Sequence, residues 1–152
     1  MSITHTTCPI SDERVQLFAL LLDTNARLVR SMGAVLEESC DLPLSSFEVL
    51  MQLHSAPEGR LKMNEIADAI VLSTGGTTRL VDRLEEAGFV ARKHCPEDRR
   101  AIHVSITDLG NAKLDEALQV HLTHLEAQLG QRLTCDERTS LTALLQKLQT
   151  PA

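Results

Sequence analysis

The stretch that decides the fold is residues 60–107, which read RLKMNEIADAIVLSTGGTTRLVDRLEEAGFVARKHCPEDRRAIHVSIT. The spacing of its apolar residues predicts a short helix over Lys62–Ile70, a break, and a second helix over Thr74–Glu86. Two helices joined by so short a break are typical of a helix-turn-helix, in which the second helix enters the major groove of DNA.

The second half of the same stretch predicts a β-hairpin. Residues 89–95 and 101–106 alternate apolar and polar side chains, as half-buried antiparallel strands do. The turn between them, PEDRR at 96–100, carries two arginines. A charged turn alone is usually a solvated tip, but its position after a helix-turn-helix favours a DNA-binding wing. The predicted fold is therefore mainly α with a small β-hairpin wing, a winged helix-turn-helix.

The predicted start of the second helix consists of small and hydroxylated residues. Gly75 and Gly76 in a first helical turn would each cost about 1 kcal/mol relative to alanine, which suggests that a partner approaches closely. Hydroxyl and backbone N–H groups there meet phosphates and base edges, and arginines of a wing enter the minor groove. The residues predicted to contact DNA are Ser73, Thr74, Gly75, Gly76, Thr77, Thr78, Arg79, Arg83, Arg99 and Arg100. The alternative is a flexible loop followed by a short helix.

The net charge of −6 argues against a broad nucleic-acid-binding surface. Residues 60–103, however, carry eight of the fifteen Lys and Arg and seven of the twenty-one Asp and Glu, a local charge of +1. The remaining residues carry a charge of −7. DNA affinity is therefore expected to come from individually placed arginines rather than from a uniformly basic face.

Helices with apolar stripes are predicted on both sides of this stretch. One long helix is expected from about Asp12 to Glu38, and a second over Ser46–His54 that begins with a capping box of Ser45 and Glu48. After the hairpin, Thr107 or Asp108 is predicted to cap one helix, and Thr134 with Glu137 another. The leucines of these last two helices are Leu114, Leu118, Leu122, Leu125, Leu129, Leu141, Leu144, Leu145 and Leu148.

Such extensive stripes cannot all be buried inside so small a body. Residues 1–40 and 108–152 are therefore predicted to form a helical dimerisation region, and residues 41–107 a DNA-binding lobe, within one continuous domain. The alternative is a monomeric helical layer.

Length, cysteine usage and hydropathy limit the remaining classes. A chain of 152 residues buries an adequate core without disulfides. Four scattered cysteines without a CxxC pair indicate reduced thiols and a cytoplasmic protein. The longest apolar run, Phe18–Leu22, is too short to cross a bilayer, and Met1–Ser11 lacks the order of a signal peptide. Neither a cofactor nor a membrane partner is predicted.

Several of these segments together resemble the MarR family of bacterial transcriptional regulators. The resemblance covers nearly the whole chain in the order of its elements, and the wing with the Thr that follows it is the most telling part. The segments that carry it are Leu72-Ser73, Thr77–Val90, Asp98–Thr107 and Leu109-Gly110.

The resemblance implies a homodimeric, mostly helical repressor or activator that binds palindromic operators. It implies that the helix matching Thr74–Glu86 reads the major groove and that Arg99 or Arg100 enters the minor groove. Members often respond to small phenolic or other lipophilic anions, or to thiol oxidation. The chain has no Trp and no Tyr, so it departs from members whose ligand pockets are lined by such aromatics.

Candidate sensing residues follow from position and chemistry. A pocket between the first two helices, the DNA-binding lobe and the helix after the wing would draw on polar residues of those elements. The candidates are Asn25, Arg27, Arg30, His54 and His103. Positive neighbours favour a reactive thiolate at Cys95, and the resemblance adds Cys8, because oxidation-sensing members carry a thiol near the start of the long helix. Inert small side chains are the alternative for both cysteines.

A metal site is not predicted. His121 and His124 are one helical turn apart, and His5 lies near Cys8, but neither pair has an obvious third ligand. A solvent-facing histidine pair is the expected arrangement of His121 and His124.

Among function classes, a transcriptional regulator fits the sequence best. A winged helix used as a protein-interaction module is the alternative, but such a wing would be expected to expose apolar anchors rather than arginines. An enzyme is not predicted, because the chain has no phosphate-binding loop, nucleophile elbow or paired metal motif.

Overall fold

The computed structural model describes residues 11–70, 76–94 and 101–149. The described chain is mostly helical with one small antiparallel sheet, so the predicted fold class is confirmed. In chain order the elements are α1 (Glu13–Cys40), α2 (Leu44–Ser55), β1 (Arg60–Lys62), α3 (Met63–Ala69), α4 (Thr77–Glu86), β2 (Val90–His94), β3 (Ile102–Ile106), α5 (Asp108–Leu125) and α6 (Cys135–Gln149).

The sheet has three strands in the order β1-β3-β2. The predicted hairpin is confirmed as β2 and β3, which pair from Val90 opposite Ile106 to His94 opposite Ile102. Strand β1 was not predicted. It has only three residues, which is too few for an alternating pattern to emerge, and it exists because it pairs with β3.

The core is built around α2, which has buried residues along its whole length. Val49, Leu50 and Leu53 have no exposed surface, and α1, α3, α4, β3 and α5 contribute further residues to the same cluster. Each such side chain stabilises the fold by about 1.5–3 kcal/mol through removal of apolar area from water. The winged helix-turn-helix is thus assembled on α2 as its central element.

The predicted capping box at the start of α2 is wrong, whereas the predicted caps of the two C-terminal helices are confirmed. Helix α2 begins at Leu44 with Pro43 as its N-cap residue, and no side chain caps it. Ser45 therefore lies inside the first turn, and the predicted capping box of Ser45 and Glu48 does not form. The carbonyl of Pro43 accepts the N–H of Phe47 at 3.0 Å.

The caps of the two C-terminal helices follow the prediction. The side chain of Thr107 accepts a hydrogen bond from the N–H of Gly110 at 3.0 Å. Thr134 and Glu137 form a reciprocal capping box, with distances of 2.8 and 3.3 Å between each backbone nitrogen and the other side chain. These local patterns could be read from sequence because each involves residues only three positions apart.

The two halves of α1 differ in exposure. From Met32 onward the helix contributes buried residues to the core, whereas Val15, Leu17, Phe18, Leu20 and Leu22 are all exposed. The helix ends at Cys40, and the left-handed backbone of Asp41 (φ 50°) lets the N–H of Leu42 donate to the carbonyl of Leu36 at 3.4 Å. Within the described residues, no helix combines the length and the apolar character that crossing a membrane requires.

Candidate nucleic-acid interface

Gly76 sets the start of the predicted recognition helix. It is the N-cap residue of α4, with φ 77° and ψ 25°, and its carbonyl accepts the N–H of Leu80 at 2.9 Å. The helix therefore begins at Thr77, and the prediction that Gly76 lies within the first turn is wrong. A Cβ at Gly76 would meet no atom of the described residues within 4 Å. The glycine is needed for its left-handed backbone, which other residues adopt only with strain.

Helix α4 has one buried and one exposed face. Leu80, Val81 and Leu84 are at most 2% exposed and face the core. Arg79 and Arg83, four positions apart, are exposed on the opposite side. An open groove of about 520 Å³ runs along this side and is lined by Gly76, Arg79, Asp82 and Arg83. The exposed side of α4 thus presents two guanidinium groups beside a groove.

A bridge centred on Arg92 joins the wing to α4. One terminal nitrogen of its guanidinium donates to Asp82 Oδ1 at 2.6 Å, and the other donates to Glu85 Oε2 at 2.6 Å. The backbone N–H of Arg92 also donates to Glu85 Oε1 at 3.0 Å. Because a guanidinium is planar and has donors in fixed directions, these contacts fix the angle between β2 and α4.

The bridge also determines the charge state of its acidic partner. The backbone hydrogen bond from Arg92, together with the one from its side chain, lowers the pKa of Glu85. Glu85 is therefore ionised well into the acid range, and the contact between helix and wing persists there. Arg92 pairs with both Asp82 and Glu85 and offsets one of their two negative charges, while Arg79 and Arg83 form no ion pair within the described residues.

Comparison with known proteins adds the family. The MarR family profile matches residues 42–102. The chain is 32% identical over 116 residues to the transcriptional repressor YetL of Bacillus subtilis, a match that covers 74% of this chain and 67% of YetL. The chain belongs to the MarR family. Its members are transcriptional regulators rather than enzymes.

Sequence similarity to another relative extends over most of the chain. The transcriptional repressor MdtR of B. subtilis is 29% identical over 150 residues, which cover 87% of this chain and 92% of MdtR. The match to the uncharacterised regulator YkoM of B. subtilis is 33% identical and covers 68% of this chain but only 65% of YkoM. With YkoM, the likeness thus spans slightly less than two thirds of the relative's length.

Solved structures of the family share the fold. The structure of a MarR mutant from E. coli in complex with operator DNA aligns with this chain with a TM-score of 0.79 and 27% sequence identity. The alignment covers 95% of this chain and all of the E. coli chain. A MarR family regulator from Streptomyces coelicolor in complex with DNA has a TM-score of 0.80 at 24% identity. The match covers 93% of this chain and 91% of the S. coelicolor chain. At 24% identity, it supports the fold but not a function.

The described part of the predicted DNA contact set lies together at the start and on the exposed side of α4. Gly76, Thr78, Arg79 and Arg83 are exposed there, and Thr77 is partly buried in the first turn. The other predicted contacts, Ser73, Thr74, Gly75, Arg99 and Arg100, lie outside the described residues.

Sequence reasoning did not find the bridging role of Arg92. The signal was present as two acidic residues three apart on α4, Asp82 and Glu85, followed by an arginine in the first strand. Only the way the strand folds back onto the helix shows that the three charges meet.

The five predicted effector residues are not brought together within one chain. Asn25, Arg27 and Arg30 lie on α1, His54 on α2, and His103 on β3. Arg27 donates to Gln128 at 3.2 Å, whereas His54 Nδ1 lies 2.9 Å from Asn111 Oδ1 near the start of α5. At 1.5 Å rise per residue, those two partners are about 25 Å apart along the helix. Arg27 and His54 therefore contact parts of the chain that lie far apart along this helical segment.

The histidine pair of α5 faces α1 rather than solvent, so its predicted orientation is wrong. His121 Nδ1 lies 3.0 Å from Met32 Sδ, and its ring lies 5.0 Å from that of Phe47. His124 Nε2 lies 2.9 Å from Ser31 Oγ. Burial, and then the charge of His124, lower the pKa of His121. Helical spacing predicted that the two histidines share one side of α5. It did not predict which neighbouring helix that side packs against.

The predicted redox cysteines, Cys8 and Cys95, lie outside the described residues. Two other cysteines are free thiols, Cys40 in the core and Cys135 at the start of α6. Burial, reinforced by the charge of Glu116, raises the pKa of Cys40. Cys40 is therefore a packing residue rather than a reactive thiolate. The described residues contain no group of three or more His, Cys, Asp or Glu placed to hold a metal ion.

Proposed function

We propose that the chain is a sequence-specific DNA-binding repressor that reads the major groove with α4. The observation that carries the proposal is the exposed side of α4, where Arg79 and Arg83 line an open groove while Arg92 pairs with Asp82 and Glu85. An arginine of a recognition helix can bind a guanine edge or a phosphate. The N–H groups at the start of α4, beyond Gly76, offer a further site for phosphate.

Family relatives support this reading. The MarR mutant structure from E. coli contains operator DNA, and MdtR and YetL are named transcriptional repressors. In the present chain, Ser73, Thr74 and Gly75 would extend the contact set before α4. Arg99 and Arg100 of the wing turn would enter the minor groove.

Binding is proposed to require a homodimer. Helix α6 has no buried residue, and Leu144 and Leu148 are 58% and 68% exposed in the single chain. The N-terminal half of α1 exposes five further large apolar side chains. Burial of these stripes against a second copy would remove a large apolar area from water. Residues 1–40 and 108–152 would thus form the dimerisation region, and residues 41–107 the DNA-binding lobe.

Release from DNA is proposed to work through the geometry of the dimer. Two copies of α4 must match half-sites about one DNA turn apart, roughly 34–36 Å. A small molecule at the α1, α2 and α5 junction, or oxidation of Cys8 or Cys95, would change this separation. A small rigid-body shift then suffices to lose the operator.

The test begins with selection of bound duplexes from a random-sequence DNA pool by the wild-type protein. Selection of a palindromic consensus with two half-sites is the expected result, and failure to enrich any sequence would contradict the proposal. Arg79→Ala with Arg83→Ala should weaken binding to the selected duplex by about 2–5 kcal/mol, if each arginine makes a base contact. Arg132→Ala, in the turn before α6, removes the same charge outside α4 and serves as the control, with light scattering to verify that its mass equals that of the wild type.

The same duplex tests release. Peroxide should dissociate the wild-type complex but not that of a variant with Cys8→Ser and Cys95→Ser, if a thiol is the sensor. An unaffected wild-type complex would remove thiol oxidation and leave a small-molecule effector as the proposed signal.

A further inference from the structure

A row of two lysines with a histidine between them crosses the face of the sheet that is turned away from the core. The strand register places Lys62 of β1 opposite His103 of β3, and His103 opposite Lys93 of β2. Successive residues of a strand point to opposite faces. Val104, next to His103, is fully buried, so the row of Lys62, His103 and Lys93 lies on the other side. We call this side the outer sheet face.

The two lysines are the charged groups of this row that remain open to a partner. Both are exposed, and the described residues offer neither of them an ion pair. Arg60, on the same face of β1, is already paired with Glu58. The carboxylate of Glu65 accepts the backbone N–H of Lys62 at 2.7 Å, which holds that carboxylate at the start of α3.

His103 fills the gap between the lysines. Both of its ring nitrogens are buried, and neither has a hydrogen-bond partner within the described part of the chain. Strands lie about 4.8 Å apart, so Lys62 and Lys93 are separated by about 10 Å across the face. Two flexible ammonium groups therefore flank a packed ring. Sites for small molecules are concave and enclosed, whereas this open row is suited to an extended polyanion.

The row also lies at the end of the hairpin that is farther from the core. Lys93 and His103 are adjacent to His94 and Ile102, the last described pair of β2 and β3, while Val90 and Ile106 form the pair at the base. The Arg92 bridge fixes this hairpin to α4. A duplex that contacts the exposed side of α4 and the wing would bring its flanking phosphates near this end of the hairpin.

We propose that Lys62 and Lys93 bind the phosphate backbone of duplex DNA on the outer sheet face, flanking the sequence read by α4. The inference rests on the proposed DNA-binding function and adds a second surface to it. Phosphate contacts set register and affinity but carry no sequence information. Because the whole chain has a charge of −6, two such lysines supply a substantial part of the electrostatic attraction.

The test measures the affinity for the selected duplex as a function of salt concentration. The full-length protein carrying Lys62→Ala and Lys93→Ala is compared with the wild type by fluorescence anisotropy. Each lost phosphate contact reduces the slope of log affinity against log salt by about 0.9. The slope of the variant should thus be shallower by about 1.8 per protomer bound, so the ratio of wild-type to variant affinity should be roughly 60 times larger at 0.1 M than at 1 M salt. Preference for the selected duplex over a scrambled duplex should not change.

Two further variants separate contact from folding. Lys62→Arg with Lys93→Arg keeps both charges and should retain the wild-type slope, and Arg132→Ala should retain it as well once light scattering has shown that its mass equals that of the wild type. An unchanged slope in the Lys62→Ala, Lys93→Ala protein would overturn the inference while leaving DNA binding by α4 intact. A loss of preference for the selected duplex would also overturn it, because it would place the lysines in base recognition. Absence of wild-type binding to any duplex would reject the proposed function itself.

Discussion

Helices α4 and α6 each carry an apolar stripe, yet only the stripe of α4 is buried within its own chain. In α4, Leu80 and Leu84 are each 2% exposed because α2, α3 and β2 pack against them. In α6, all four leucines are at least 41% exposed, and no residue of the helix is buried. The same amphipathic pattern therefore has two outcomes. The stripe of α4 stabilises the lobe of its own chain, and the stripe of α6 is left for another surface.

The largest expected effect comes from a substitution in the buried face of α4. Leu84→Ala should lower the free energy of unfolding by about 2–5 kcal/mol, because it removes buried methyl groups and leaves a cavity. The loss should not depend on protein concentration. Urea denaturation monitored by circular dichroism measures it. A change below 1 kcal/mol would mean that α4 is not packed as described.

The next effect concerns α6. Leu144→Glu with Leu148→Glu should convert a dimer into a monomer, because each carboxylate would be buried without a partner at the interface. Light scattering should give 16.7 kDa for the variant and about twice that mass for the wild type. Thermal stability of the wild type, but not of the variant, should rise with protein concentration. A wild-type mass of 16.7 kDa at micromolar concentration would contradict the proposed dimer.

The smallest effect is expected at His121 of α5, whose ring packs against α1 and α2. Its pKa is lowered in the folded state by burial and by the charge of His124. The folded state therefore favours the neutral ring, and the unfolded chain takes up a proton first as pH falls below about 6.5. Stability should be full above that pH and decrease below it, until the lower folded pKa is passed.

Thermal unfolding between pH 5 and pH 8 measures this dependence. His121→Phe should remove the corresponding part of the pH dependence, whereas His54→Gln, which replaces an exposed histidine, should leave it in place. An identical profile for His121→Phe and the wild type would show that the ring does not titrate differently on folding.

Sequence by itself determined the order of the helices, the hairpin and the caps of the two C-terminal helices. These features depend on residues close together in the chain, where periodicity and side-chain chemistry suffice. It also predicted that Arg79 and Arg83 share the outward side of α4, because four residues make about one helical turn.

Tertiary structure alone decided the contacts between distant segments. Strand β1 exists through its pairing with β3, and Arg92 meets Asp82 and Glu85 only after the wing folds against α4. The orientation of His121 toward α1 likewise depends on a residue that is remote in sequence. So does the row that Lys62 and Lys93 form across the sheet. The physical reason is that a local pattern determines which side chains share a face. Packing of the whole chain determines what that face meets.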